Sequence, residues 1–327
     1  MTTPVETPAK SYLYKGGDVA RKILSHPVIW LYGILFPCFY LTIITWEAGF
    51  QTLISEYGIF FILGLIGALV ANSTGAGGGV VFIPFFAAMG IMPVQAIATS
   101  MAIQSCGMTA GALSWLHALH RQYQHDDNML RQLKQLMLFS GLATITGMLI
   151  GQYLVTQPVF EMALVFRVFS ISFGLILIVF TLFTRNRSTS QQTPLNDKAE
   201  NRLAQSSRSL TVTATVLLVL TSLTGGIVTA WISVGVGEFV ALLLFFLRFP
   251  TTVAVAIGVF TSSIAVLTGV IHHISPHLNM SIEIVLFAGQ SALIGGFVAR
   301  YITQYLGGNR LKLLFSAWII FTGALME

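Results

Sequence analysis

Charge is what this sequence most lacks. Only 9% of its 327 residues are Asp, Glu, Lys or Arg, where a soluble domain carries about 25%. Hydrophobic residues make up 55%, and the mean hydropathy is +0.79. These values exclude a soluble globular class and leave a polytopic membrane protein. Cysteine is scarce too. Cys38 and Cys106 both sit in apolar runs, so no disulfide framework or thiolate metal site is encoded. No Gly-Lys-Ser/Thr nucleotide loop, hydrolase elbow or zinc signature occurs. That argues against a pump with its own ATPase and against most membrane enzymes, and no cofactor or metal is expected. The net charge of +5 does not mark a nucleic-acid binder, because the basic residues lie between apolar runs. Residues 1–27 are polar, and no small-residue cleavage site follows the first apolar run, so no secretory signal is expected.

What the chain has instead is glycine in a telling place. Asn72-Ser73-Thr74-Gly75-Ala76-Gly77-Gly78-Gly79 follows the apolar run Tyr57–Ala71. Each glycine costs about 1 kcal/mol against Ala in a helix, so the helix must break. In lipid an unwound backbone is tolerated only where protein buries it or it lines a watery cavity. The second half carries a counterpart, Ser233-Val234-Gly235-Val236-Gly237-Glu238. Paired interrupted segments in two halves are the best sequence pointer to a transporter site.

The order of runs repeats. A polar basic tail (1–27) precedes an extra span, Val28–Thr45, and an outer loop to Glu56. The first repeat, 57–184, contains the run into the break, the short Val80–Met89, a turn at Gly90–Pro93, the long Val94–His117, a polar loop at 119–132, then Leu133–Leu154 and Ala163–Thr184. A polar linker, 185–209, joins the second repeat, 210–327: Leu210–Ile232, the short Phe239–Leu247, a turn at Arg248–Pro250, then Thr251–Ile271, Ile282–Thr303 and Leu311–Met326. Ser73-x-Gly75-x-Gly77 lies over Ser233-x-Gly235-x-Gly237, and Ala96-Ile97-Ala98 lies over Ala256-Ile257-Gly258 at the same offset. Gly141, Gly147 and Tyr153 lie over Gly289, Gly295 and Tyr301 at a second offset.

Lys and Arg favour the cytoplasmic side. The tail, the 119–134 loop, the linker and the 300–312 region hold 15 of the 17 Lys and Arg, and the loops at 46–56, 155–162 and 272–281 hold none. With five hydrophobic elements per half, the halves then run in opposite directions. The predicted fold is an all-α integral membrane protein of two inverted repeats with Gly-rich breaks, preceded by one extra N-terminal transmembrane helix. The N-terminus is expected in the cytoplasm and the C-terminus outside. Re-entry of the short elements instead of crossing would leave the inversion intact.

A helix starting after Gly79 points free N–H groups and a positive dipole end at the break, which favours an anion. A Gly-rich loop can form an anion-holding nest. The candidate substrate-binding residues are Asn72, Ser73, Thr74, Gly75, Gly77, Gly78, Gly79, Thr99, Ser100 and Gln104 from the first half. Ser233, Gly235, Gly237, Thr261 and Ser262 match them from the second, with Ser263 beside them. Small-residue packing is the alternative for any glycine pair, and Gly141, Gly147, Gly151, Gly289, Gly295 and Gly296 are assigned to it. Glu238 is an acid beside the second break in an otherwise apolar run, a candidate for coupling proton movement to anion movement. Its plainer reading is a carboxylate that bonds a polar partner or caps a helix. His117, His120 and His125 are placed on an inner loop, and His272, His273 and His277 on an outer one, as surface polar groups and not as metal ligands.

Asn72–Pro84, followed by Pro93 and Ala96-Ile97-Ala98-Thr99-Ser100, resembles the TauE/SafE sulfite exporter family over about residues 57–327. The resemblance implies a membrane carrier for sulfite, sulfonates or related sulfur oxyanions, with two related halves. The second motif departs from the first: Glu238-Phe239 stands where the first has Gly78-Gly79, and Leu244 where it has Pro84. The expected function is a secondary transporter in a bacterial inner membrane, with sulfite export leading. Uptake of a sulfonate, thiosulfate or small carboxylate, an anion channel, and a scaffold without transport are the alternatives. The expected partners are a small sulfur anion and the lipid bilayer; a homo-oligomer is compatible with the chain.

Overall fold

The computed structural model describes residues 50–155, 211–274 and 280–306 continuously, with scattered helical positions at 164–179 and 313–324. The tail, the extra N-terminal span and the linker 185–209 lie outside the described residues, as does His277. Eight helices carry the rest. They are α1 (Phe50–Thr74), α2 (Gly79–Ala88), α3 (Pro93–Tyr123), α4 (Asp127–Leu149), α5 (Val212–Ile232), α6 (Val236–Phe246), α7 (Thr251–Ile274) and α8 (Ile282–Leu306). A π-helical turn, Ile150–Leu154, extends α4. Among the described residues, five helical stretches are long and apolar enough to span a membrane: Thr52–Thr74, Asp127–Leu154, Val212–Ile232, Thr251–Ile274 and Ile282–Thr303. The protein is an all-α, multi-pass membrane protein.

Helix directions follow from which residues touch. A Cβ on Gly67 of α1 would meet the Phe82 ring of α2, and Phe60 of α1 packs on Phe85 and Phe86. Later residues of α2 therefore meet earlier residues of α1, so α2 folds back along α1. At about 1.5 Å per residue its ten residues reach about 15 Å, half of a hydrocarbon core of about 30 Å. The second half repeats this. Gly235 lies against Val228, and Gly225 lies against Val236 and Phe239, so α6 folds back along α5. Each break is thus the tip of a helical hairpin.

The halves interlock. Gly64 meets Ala288 and Gly295 meets Leu65 and Ala68, which aligns α8 of the second half alongside α1 of the first. Gly147 meets Leu223 and Gly151 meets Ile227, which aligns α4 with α5 in the same way. At the centre α3 and α7 cross antiparallel, with Gly269 against Met101 and Thr109 bonded to Ser263 at 3.2 Å. Ala68 and Asn72 of α1 meet Gly107 and Gly111 of α3, so those helices run parallel. The turn at 124–126 reverses α4 against α3, and α5 parallels α4, so the second repeat runs opposite to the first. Gly147, Gly151, Gly295 and Gly296 each bring a neighbouring backbone or methyl within the space of a missing Cβ. Small residues let membrane helices approach this closely.

Some boundaries differ from expectation. The helix α1 begins at Phe50, not Tyr57, and the expected polar loop 119–132 shrinks to 124–126, because α3 runs on to Tyr123 and α4 starts at Asp127. Asp126 caps α4 through Oδ1, which accepts from the Met129 amide at 2.9 Å. Polar side chains beyond the apolar run do not stop a helix whose backbone bonds are internal. His117 and His120 therefore stand on α3, and His272 and His273 on the last turn of α7, not in loops.

Candidate functional site

Two hairpin tips that end in mid-fold must satisfy their own backbone groups, since no lipid can. The α1 helix closes with Gly75 in the left-handed region at φ +85°, its amide donating to Ala71 O at 3.1 Å. An L side chain is strained there. The α5 helix closes on Ser233, also left-handed, and Gly235 at φ +141° opens α6.

The tips meet. A Cβ on Gly79 would collide with the Ser233 carbonyl, and one on Gly237 would collide with the Ser262 hydroxyl and lie 2.6 Å from Gly75 O. Gly258 of α7 completes the contact, with its missing Cβ 2.8 Å from Gly75 O and 2.9 Å from Gly237 O. Backbone touches backbone across the pseudo-symmetric interface, which only glycine allows.

One side chain ties the two tips together. Glu238, 1% exposed, accepts from the Gly77 amide through Oε1 at 2.8 Å and from the Gly235 amide through Oε2 at 3.1 Å. The first bond crosses from one repeat to the other; the second caps α6. Thr229 Oγ1 accepts from the Val236 amide at 2.9 Å and completes that cap. Helix N-termini leave four unsatisfied N–H groups, and carboxylates are favoured there. The helix-capping reading of Glu238 thus describes its contacts.

Gln104 of α3 is the second organiser. Its Nε2 donates to Ser100 Oγ and Ser233 Oγ, each at 2.9 Å, and to Ser233 O at 3.3 Å. Ser233 Oγ donates to Ser100 Oγ at 3.1 Å. Gln104 Oε1 is buried without a hydrogen-bond partner among the described residues and lies 3.3 Å from where a Gly77 Cβ would stand. Val81 and Phe82 donate to Gly78 O, and the amides of Gly78, Gly79 and Val80, which open α2, donate to no acceptor among the described residues. Donors of the first tip, a carboxylate of the second and an orphan amide oxygen therefore converge.

The structure brings together Gly75, Gly77, Gly78, Gly79, Ser100, Gln104, Ser233, Gly235, Gly237, Ser262 and Glu238. The other expected residues bond outside this cluster, except that Thr74 Oγ1 also accepts from the Ala76 amide in the tip at 3.3 Å. The Asn72 side chain donates to Ala68 O at 2.8 Å and Gly107 O at 3.3 Å, and its backbone carbonyl accepts from Trp115 Nε1 at 2.8 Å. Ser73 bonds Ala299 O at 3.2 Å on α8, and Thr74 bonds its own helix. Thr99 accepts from the Ser281 amide at 3.1 Å, and Thr261 bonds back to Ile257 and Gly258. Thr229 and Gly258 are the tip residues that sequence reasoning missed. Gly258 was readable, because the repeat aligns it with Ala98 and the exchange to glycine marks the closer approach.

A cavity of about 130 Å³ is lined by Gly151, Gln152, Tyr153, Val155, Ala230, His272 and His273. The His272 and Tyr153 rings meet edge to face there, 4.8 Å apart.

The sequence model of the family described as Sulfite exporter TauE/SafE matches residues 60–326, and the chain belongs to that family. No curated protein and no solved structure matches.

Proposed function

We propose that this TauE/SafE family member is a secondary carrier that exports a small sulfur oxyanion, sulfite first among them, by alternating access. The observation that carries the reading is the meeting of two half-helix N-termini at one buried point, with open amides on α2. Such termini favour anions without a full positive charge nearby, and weak dipolar binding lets the substrate leave. The site consists of Gly77, Gly78, Gly79, Ser100, Gln104, Ser233, Gly235 and Glu238. In the state described the tips are in contact, so one repeat must part from the other to load an anion. Proton movement through Glu238 supplies the coupling.

The repeats are taken as 57–184 and 210–327, in a bacterial inner membrane. The basic residues of the 119–134 region face the cytoplasm by the positive-inside rule, with the N-terminus inside and the C-terminus outside.

The test is flux of labelled sulfite in liposomes holding the purified protein, with sulfate, thiosulfate, taurine and acetate as competitors. A Gly78→Leu variant should abolish flux, since a Cβ at Gly78 would already lie 2.8 Å from Phe82 and 3.0 Å from Gln104. Saturable sulfite flux, lost in this variant while its assembly persists, supports the reading. No flux of any of these anions from folded protein sinks it.

A further inference from the structure

We propose that Glu238 is a tethered stand-in for the transported oxyanion, so that its carboxylate and the substrate compete for the Gly77 amide and each anion bound places one proton on Glu238. This rests on the anion-site reading above. The α2 terminus already offers open amides, and beside Gly77 the Gln104 Oε1, on a side chain 2% exposed and without a donor among the described residues, is an acceptor that repels an anion and matches the O–H of a protonated Glu238. The acceptor that now occupies the terminus belongs to the protein itself. Glu238 Oε1 sits 2.8 Å from the Gly77 amide, where an oxyanion oxygen would accept.

Magnitudes favour exchange over coexistence. Two hydrogen bonds to a charged group roughly offset the cost of burying one ion. The balance is close while both amides are donated. A substrate oxygen that takes the Gly77 amide removes one of them and adds a second negative charge to the same water-poor site, where like charges repel strongly. A proton on Glu238 resolves both problems. Glu238 bonds the Gly77 and Gly235 amides, and Gln104 Oε1 and Ser233 O stand with its Oε1 around the missing Cβ of Gly77, at 3.3, 3.8 and 3.6 Å. Among the described residues no Lys, Arg or His bonds to it, and the proton takes the neutralising role.

The cycle balances. The proton arrives from water on the loading side, bonds to a Glu238 oxygen as the anion takes Gly77, and leaves to water on the far side as the anion departs. The carboxylate then returns to Gly77. One proton travels with each anion in the same direction.

The experiment measures equilibrium binding of labelled sulfite to the purified full chain over a pH series, in wild type and Glu238→Gln. The ratio of the two affinities cancels the titration of sulfite itself. Glu238→Gln should bind more tightly at the alkaline end, and its advantage should shrink by up to about tenfold per pH unit as pH falls, as one linked proton requires. A ratio that stays constant with pH overturns the proposal, as does loss of binding in a variant whose unfolding midpoint matches wild type. A second variant, Glu238→Ala, leaves a carboxylate-sized gap. Formate should fill it and compete with sulfite there far more strongly than in wild type; equal competition in both also overturns the proposal. Wild-type protein that binds no sulfite overturns the anion-site reading beneath, whereas binding with a flat ratio overturns this proposal alone.

Discussion

Gly237→Ala isolates the contact between the hairpin tips. The new methyl would stand 2.6 Å from Gly75 O and 2.8 Å from Gly258 O, and would collide with the Ser262 hydroxyl. Ordinary contact at such a carbon begins near 3.4 Å, so both carbonyls must withdraw by about 0.6–0.8 Å. Ser262 can rotate away, but backbone carbonyls on two other elements cannot. Overpacking of this kind costs about 1–3 kcal/mol. Helix propensity works the other way, since Ala is better than Gly by up to about 1 kcal/mol within a helix. Gly141→Ala supplies the control, because that glycine is also helical and its nearest neighbour is Phe260 at 3.5 Å. It should gain up to about 1 kcal/mol, while Gly237→Ala loses about 1–2 kcal/mol net. The assay is the midpoint of SDS-induced unfolding, followed by the fluorescence of buried Trp115 and half-buried Trp231. Equal midpoints for the two variants, or a more stable Gly237→Ala, would refute the close approach of the tips.

Three further outcomes are expected. Thr109→Cys with Ser263→Cys should form a disulfide, since their hydroxyls lie 3.2 Å apart on the antiparallel α3–α7 pair; oxidation should stop flux and reduction restore it, and undiminished flux in the crosslinked protein would show that the repeats do not part there. Asn72→Ala removes bonds to Ala68 O and Gly107 O and should cost about 1–3 kcal/mol of stability while keeping flux per folded molecule, so abolished flux in a well-folded variant would extend the site to α1. Gly296→Val would drive a side chain into the Gly107 carbonyl and toward Asn72; assembly yield should fall sharply on a solubilisation assay, and wild-type yield would contradict the tight α3–α8 crossing.

The sequence carried the breaks and the inversion because glycine clusters and a repeat offset are local signals. The direction of the short helices was not local. A ten-residue apolar run reads the same whether it crosses or folds back, and the choice is made by Gly67 opening room for Phe82 and by Phe60 meeting Phe85 and Phe86. Asn72 illustrates a different limit. It was grouped with Ser73 and Thr74 by adjacency, yet successive helical residues face directions about 100° apart. Gly64, Ala68 and Asn72 form a stripe at spacing four, and each meets α8 or α3 through Ala288, Gly295, Gly296 or Gly107. Small residues at that spacing were readable as a packing face, and they place the Asn72 amide among helices and not at the tip.

Glu238 marks where sequence reasoning stops for a physical reason. The repeat alignment put an acid opposite Gly78 and so predicted unequal halves. It could not say which amides the acid would reach, because that depends on the tips meeting, and the tips meet only because Gly75, Gly79, Gly237 and Gly258 leave no side chain between them. The asymmetry then acquires a consequence. With Gly at position 78 the first half contributes open donors, and with Glu at position 238 the second contributes the acceptor that takes the neighbouring Gly77 amide. Two identical glycine tips would leave both helix termini without an internal anion, and two acids would place like charges in one buried site. One of each gives a closed state that is satisfied without substrate, and whose opening requires something else to take the place of the carboxylate.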